Sequence, residues 1–260
     1  MTAGRLICER DGPVARVLFD NPGLHNALTH QMWLDLRDEC ARLANDPGIR
    51  VVVFRGVGGK AFVSGTDISG FAGFTSGEAG LGYERGIDDC MAAVDALPMT
   101  AVAVIDGWAV GGGLNIASAC DFRIATATAR FGSPLGRTIG NCLSMSSYAR
   151  IVSAVGAPAA RRMILLGEML TAPQLLDSGF LYRVVDSPNL EEEVGALCER
   201  AAGNAPLTTR ATKEALRRWR NMSLPDIDDL IALVYGSADF RLGVQNFLGG
   251  NKKPPDWSGS

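Results

Sequence analysis

The chain has 260 residues, 47% of them hydrophobic and 20% charged, with a formal net charge of −3. That is enough apolar material for one large core, or for a core with a small appendage. The charge balance excludes a general attraction to nucleic acid or anionic lipid, so an anionic ligand must be met by local positive groups.

No apolar run approaches the ~20 residues of a bilayer span, and residues 1–12 have no signal-like stretch. Six cysteines (Cys8, Cys40, Cys90, Cys120, Cys142 and Cys198) form no C-x-x-C pair. A soluble, cytoplasmic chain with reduced and mostly buried thiols is expected, rather than a disulfide framework. The only histidines, His25 and His30, have no cysteine at ligand spacing, so no metal site is expected.

Residues 6–9 and 14–19 flank Asp11-Gly12 and read as a β-hairpin. Thr29 starts a helix with Met32, Trp33, Leu36, Cys40 and Leu43 at helical spacing, and Asp46-Pro47-Gly48 stops it. Residues 51–54 form a buried strand, followed by a glycine-rich loop at 56–61 and the segment Phe62-Val63-Ser64-Gly65-Thr66-Asp67. Between 70 and 82 the composition shifts to Gly, Ser, Phe and Glu, which predicts a mobile surface segment.

A helix follows from about 84 to 97, then a buried strand at 101–105. Gly111-Gly112-Gly113 opens a helix of small residues, and 122–125 is a third strand. Strands alternating with helices predict an α/β arrangement. Beyond 141 the chain reads as mostly helical. Thr171 and Gln174 have capping-box spacing, Ser187-Pro188 is a further helix start, and helical pattern runs through 190–204, 206–220 and 226–235.

Two glycine-centred turns follow two of the buried strands: Ser64-Gly65-Thr66-Asp67 and Gly111-Gly112-Gly113. Glycine lets a ligand approach the main chain closely, and the first N–H groups of a helix lack internal partners. If the two turns meet, they form an oxyanion hole; the alternative is that triple glycine serves only tight helix–strand packing. A dinucleotide fingerprint fails because Ile116 stands at the third glycine. A phosphate loop fails because Ala61 follows Lys60 where Ser or Thr is needed. No G-x-S-x-G elbow is present.

The chain resembles the enoyl-CoA hydratase/isomerase (crotonase) superfamily. The resemblance is carried by Asn21-Pro22 through Asn26-Ala27-Leu28, by Ala61 through Ile68, and by Gly107-Trp108-Ala109-Val110-Gly111-Gly112-Gly113. Cys120 through Ala125, Phe131-Gly132, Leu165-Leu166-Gly167 and the closing segment from Ser237 to Lys252-Lys253-Pro254 continue it in order. The resemblance implies a spiral of ββα units over residues 1–195. A C-terminal helical region over 196–260 would serve oligomerisation and CoA contact, in a homotrimer or a dimer of trimers.

It also implies an acyl-CoA substrate and no permanently bound cofactor, coenzyme A being part of the substrate. The N–H groups of Thr66 and Gly112 would hold the thioester oxygen. Ala61, Ser64, Gly65, Asp67 and Ile68 would run along CoA, with His25 and Ala27 flanking it. Lys252 or Lys253 would meet the CoA phosphates, or form a solvated tail.

The pattern breaks at the family's two catalytic glutamates. The first place, just beyond the triple glycine, holds Asn115; the second, after Phe131-Gly132 and the next proline, holds Leu135. Water addition to an enoyl thioester needs groups that take and give protons; Asn can only orient a water, and Leu can do neither. Hydration is therefore expected to be feeble.

Replacements left open are Cys142, which otherwise is inert packing, and Arg137, which would bind a substrate carboxylate or form a surface ion pair. Glu78, Glu84, Asp88 and Asp89 are further candidates, each reaching the acyl group or remaining a solvated charge. A silent acyl-CoA-binding homologue, a decarboxylase and a thioester hydrolase are the competing functions.

Overall fold

The computed structural model describes residues 4–222, 226–251, 253, 255, 257 and 258. The expected hairpin is β1 (Arg5–Asp11) and β2 (Val14–Asp20), paired antiparallel down to Asp11 opposite Val14. α1 (His30–Ala44) begins at Thr29, whose side chain accepts from the Met32 N–H. It buries the five apolar residues that its spacing predicts.

Three strand pairs then repeat one step. β3 (Val51–Gly56) is followed by β4 (Ala61–Val63), β5 (Thr100–Ile105) by β6 (Trp108–Val110), and β7 (Phe122–Thr126) by β8 (Arg130–Gly132). α2 (Gly77–Asp95) and α3 (Gly112–Ala119) separate the pairs. β9 (Leu170–Thr171) and β10 (Arg183–Val185) complete two sheets, ordered β1-β2-β3-β5-β7-β10 and β4-β6-β8-β9. The first strand of each pair enters the larger sheet and the second enters the smaller. This is the α/β spiral of ββα units.

After β8 come α4 (Leu135–Thr138), α5 (Met145–Val155), α6 (Ala157–Leu165) and α7 (Ala172–Asp177). After β10 come α8 (Leu190–Ala202), α9 (Pro206–Arg220), α10 (Asp228–Gly236) and α11 (Ala238–Leu248). Thr171 and Gln174 form the predicted reciprocal capping box.

The main core contains Phe19, Phe54, Phe62, Phe131 and Phe180. The other face of the larger sheet, at Val51, Val53, Val102 and Val104, is covered by Leu190, Val194 and Leu197 of α8. Burial on both faces is why β3 and β5 read as continuous apolar runs. The expected division between residues 195 and 196 falls inside α8, which packs against this sheet as a single helix.

Residues 70–82 are not the loose segment that their composition suggests. A 3₁₀ turn (Ile68–Gly73) and the start of α2 occupy them, and Phe71 and Phe74 pack on Tyr83 and Tyr235. Gly77 and Gly80 serve a close helix approach: a Cβ on Gly80 would lie 2.1 Å from Tyr235 Cγ.

Candidate active site

The β4–β6 pairing sets Ala61 beside Trp108 and Val63 beside Ala109, so the turns that follow these strands emerge side by side. Gly65 (φ 129°) and Gly111 (φ 53°) take backbone angles that favour glycine. A Cβ on Gly111 would lie 3.8 Å from Gly65 Cα. Thr66 bridges to Leu28 through its neighbours: Leu28 N–H donates to the Gly65 carbonyl, and Asp67 N–H donates to the Leu28 carbonyl. The Thr66 N–H therefore faces away from Leu28. Gly112 is the first residue of α3, a helix with no side-chain cap. Among the described residues neither the Thr66 nor the Gly112 N–H has a protein acceptor.

Both residues line a cavity of about 150 Å³, together with Ser64, Gly65 and Ile68. Trp33, Phe71, Tyr83, Leu135 and Phe247 supply apolar walls, and Asn115 and Asn141 supply amides. Thr66 is held in place by two donors to its Oγ1, Trp33 Nε1 at 3.3 Å and the Tyr83 hydroxyl at 3.0 Å. Two unpaired amides at the end of a largely apolar cavity can receive an anionic oxygen.

The turn containing His25 and Ala27 is tied to the same end of the site. Ser64 N–H donates to the His25 carbonyl, and Ser64 Oγ donates to the Leu24 carbonyl. The Asn26 carboxamide donates to the carbonyls of Val57 and Ala61, while its Oδ1 accepts from Asn21 N–H. Asp67 accepts from Ser69 N–H and caps the 3₁₀ turn. Lys253 is exposed, its carbonyl accepting from Asn246 Nδ2, and Lys252 lies outside the described residues.

Asn115, only 3% exposed, is engaged at both ends of its amide: Nδ2 donates to Ser147 Oγ and Oδ1 accepts from Arg150 Nη1, each at 3.0 Å. Arg150 in turn pairs with buried Asp95, which also holds Arg220 of α9. The site does not include Arg137, which is exposed on α4 with its aliphatic stem against Gly167. Nor does it include Cys142: the half-buried thiol does not line the cavity, and burial pushes it up to about 12. Such a thiol is neither a nucleophile nor a base at neutral pH.

Of the four acidic candidates, Glu78 and Asp89 are exposed and Asp88 accepts from Ser144 Oγ outside the cavity lining. Glu84 is different. It is 2% exposed and lines the cavity, so its reading as a solvated charge is overturned. Tyr235 Oη donates to its Oε1 at 2.6 Å and Ser144 N–H to its Oε2 at 2.8 Å. Burial pushes its carboxyl up to about 7, against the pull of these two donors. The sequence carried a signal for this: Glu84 falls in the stripe Leu81, Glu84, Ile87, Met91 and Val94 that α2 buries. Tyr83 and Tyr235, by contrast, had no local signal.

A larger crevice of about 700 Å³ lies beneath α9, lined by Ser118, Arg123 and Trp219 among others. Within it Lys213 pairs with Asp121 and Arg220 with Asp95, and neither glycine turn reaches it.

The model of the family described as enoyl-CoA hydratase/isomerase matches residues 9–260. The chain belongs to this family. It is 34% identical to a putative enoyl-CoA hydratase of Thermus thermophilus, over 94% of this chain and 97% of that one. It is 33% identical to the (E)-benzylidenesuccinyl-CoA hydratase of Thauera aromatica, over 81% of each. Among solved structures, an enoyl-CoA hydratase/carnithine racemase from Magnetospirillum magneticum aligns with a TM-score of 0.80 and 29% identity, over 98% of this chain and 96% of that one. The crotonase-like fold and the acyl-CoA class of substrate follow from this membership.

Proposed function

We propose that this protein binds an acyl-CoA thioester and stabilises the enolate of its acyl group, the Thr66 and Gly112 amides receiving the thioester oxygen. The observation that carries this reading is the pair of unpartnered N–H groups lining one cavity. In a water-poor cavity each such donor lowers the energy of developing oxyanion charge by about 3–4 kcal/mol. Ser64, Gly65, Asp67 and Ile68, with His25 and Ala27, form the lip along which CoA lies, and Lys253 meets its phosphates.

Asn115 and Leu135 occupy the cavity where the family resemblance calls for glutamates, and neither moves a proton. The chemistry is therefore proton transfer at the α carbon, with crotonyl-CoA hydration far below that of an efficient hydratase. Calorimetry with butyryl-CoA, paired with deuterium uptake at its α carbon, tests this. Binding with uptake supports the enolate enzyme, and binding without uptake favours a silent acyl-CoA-binding homologue. Release of CO₂ or free CoA from a suitable acyl-CoA would instead reveal a decarboxylase or a hydrolase.

Assembly fits the same reading. α9 buries none of its residues, and Leu207, Leu216 and Trp219 on it are exposed. We place these apolar side chains in a subunit contact of a homotrimer or dimer of trimers in the cytoplasm, to be checked by light scattering of the purified protein.

A further inference from the structure

Glu84 is the only carboxyl group among the described residues lining the amide-bearing cavity. Among the described residues no cation compensates it. The titratable groups around it are Tyr83 and Asp88 on its own helix, Tyr235 from α10, Cys142 from the loop between α4 and α5, and Tyr148 of α5. A buried carboxyl without a partner cation destabilises a fold, so packing gives no reason for it. Its surroundings do orient it. Tyr235 Oη and Ser144 N–H donate to one carboxyl oxygen each, and Asn141 Nδ2 donates to Tyr235 Oη at 3.1 Å. Asn141 also lines the cavity, and its Oδ1 is buried without a partner.

We propose that Glu84 is the catalytic proton-transfer residue of this site, placed on α2 rather than at either glutamate position of the family resemblance. The inference rests on the acyl-thioester reading above. The Glu84 carboxylate removes a proton from the α carbon of the bound thioester. The C–H pair becomes the Cα–C1 double bond, the carbonyl π pair moves onto the oxygen held by Thr66 and Gly112, and the proton stays on Glu84. Reversal returns a proton to the α carbon, or to the γ carbon of a β,γ-unsaturated acyl group. No oxidant, reductant or water is consumed. Tyr235 is the positioning residue, fixing the carboxylate and favouring its charged form. Since burial pushes Glu84 up to about 7, both protonation states are populated near neutrality.

The test is deuterium uptake from D₂O into the α carbon of butyryl-CoA, followed by mass spectrometry across a pH series. Wild-type uptake should rise through a midpoint near Glu84's value of about 7. Glu84→Gln should lower it by about 10²–10⁴-fold while calorimetric affinity for butyryl-CoA is kept. Uptake in Glu84→Gln equal to wild type overturns the proposal.

Should Glu84→Gln not fold, Tyr235→Phe decides. It removes a donor to the charged form, so the midpoint should move to higher pH, and an unmoved midpoint overturns the proposal. Wild-type protein that binds butyryl-CoA without uptake overturns the enolate reading and the Glu84 assignment with it, whereas uptake that persists in Glu84→Gln overturns the Glu84 assignment alone. Wild-type protein that does not bind it overturns the underlying thioester reading as well.

Discussion

Arg150 Nη1 donates to Asn115 Oδ1, which fixes the amide so that its oxygen is spent on a guanidinium rather than offered to the cavity. The consequence concerns any attempt to rebuild a base there. In Asn115→Asp the new carboxylate would meet Arg150 directly, and a cation at that distance lowers a carboxylate by about 1–3 pKa units. Such a group binds its counter-ion and not a proton. Crotonyl-CoA hydration by Asn115→Asp should therefore stay at the wild-type level in a spectrophotometric assay.

Glu84 ties stability to pH. Its folded value is raised from 4.5 to about 7 by burial. Its contribution is therefore complete below 4.5 and is lost as pH rises through 7, because the folded state resists ionisation. Glu84→Gln has no charge to bury. Its stability relative to wild type should climb by about 3 kcal/mol between acid and slightly alkaline pH, as read from urea midpoints at each pH.

Gly111 supplies the turn that aims the Gly112 N–H. At φ 53° and ψ −112° the backbone favours glycine, so Gly111→Ala strains the turn or moves it. Loss of one oxyanion donor is worth about 10²–10³-fold. Deuterium uptake should fall by that order in Gly111→Ala, with the far-ultraviolet circular dichroism retained.

Asp95 joins the site's supporting layer to the C-terminal helices, because Arg150 of α5 and Arg220 of α9 converge on it. Burial alone would raise its carboxyl, but the two guanidiniums outweigh this and hold it below its ordinary 3.8. Its contribution is thus present above that pH and lost as pH falls below it. Asp95→Asn strands buried Arg150 and partly buried Arg220 and should destabilise the protein by about 3–5 kcal/mol, measured by urea unfolding at neutral pH. Amide exchange in α9 should rise in parallel.

Cys142 is expected to be chemically quiet. With its thiol pushed up to about 12, it carries almost no thiolate at neutral pH. Cys142→Ser should retain wild-type deuterium uptake, and iodoacetamide should modify Cys142 far more slowly than a free thiol.

Local pattern in the sequence was sufficient for the scaffold. Apolar spacing in α1, the continuous apolar runs of β3 and β5, and the caps at Thr29 and Thr171 each depend on neighbours within a few residues. The two glycine turns were legible for the same reason, since a demand for unusual φ is met by residue type at that position. It was the parallel pairing of β4 with β6 that set the turns beside each other. Tertiary structure also decided the fate of the charges. Asp89 and Glu84 sit five residues apart on one helix, yet one faces solvent and the other lines a cavity and accepts from Tyr235, 151 residues further along the chain. A carboxyl's protonation depends on how much water and how many donors surround it, and those neighbours are assembled only when α2, α5 and α10 pack together.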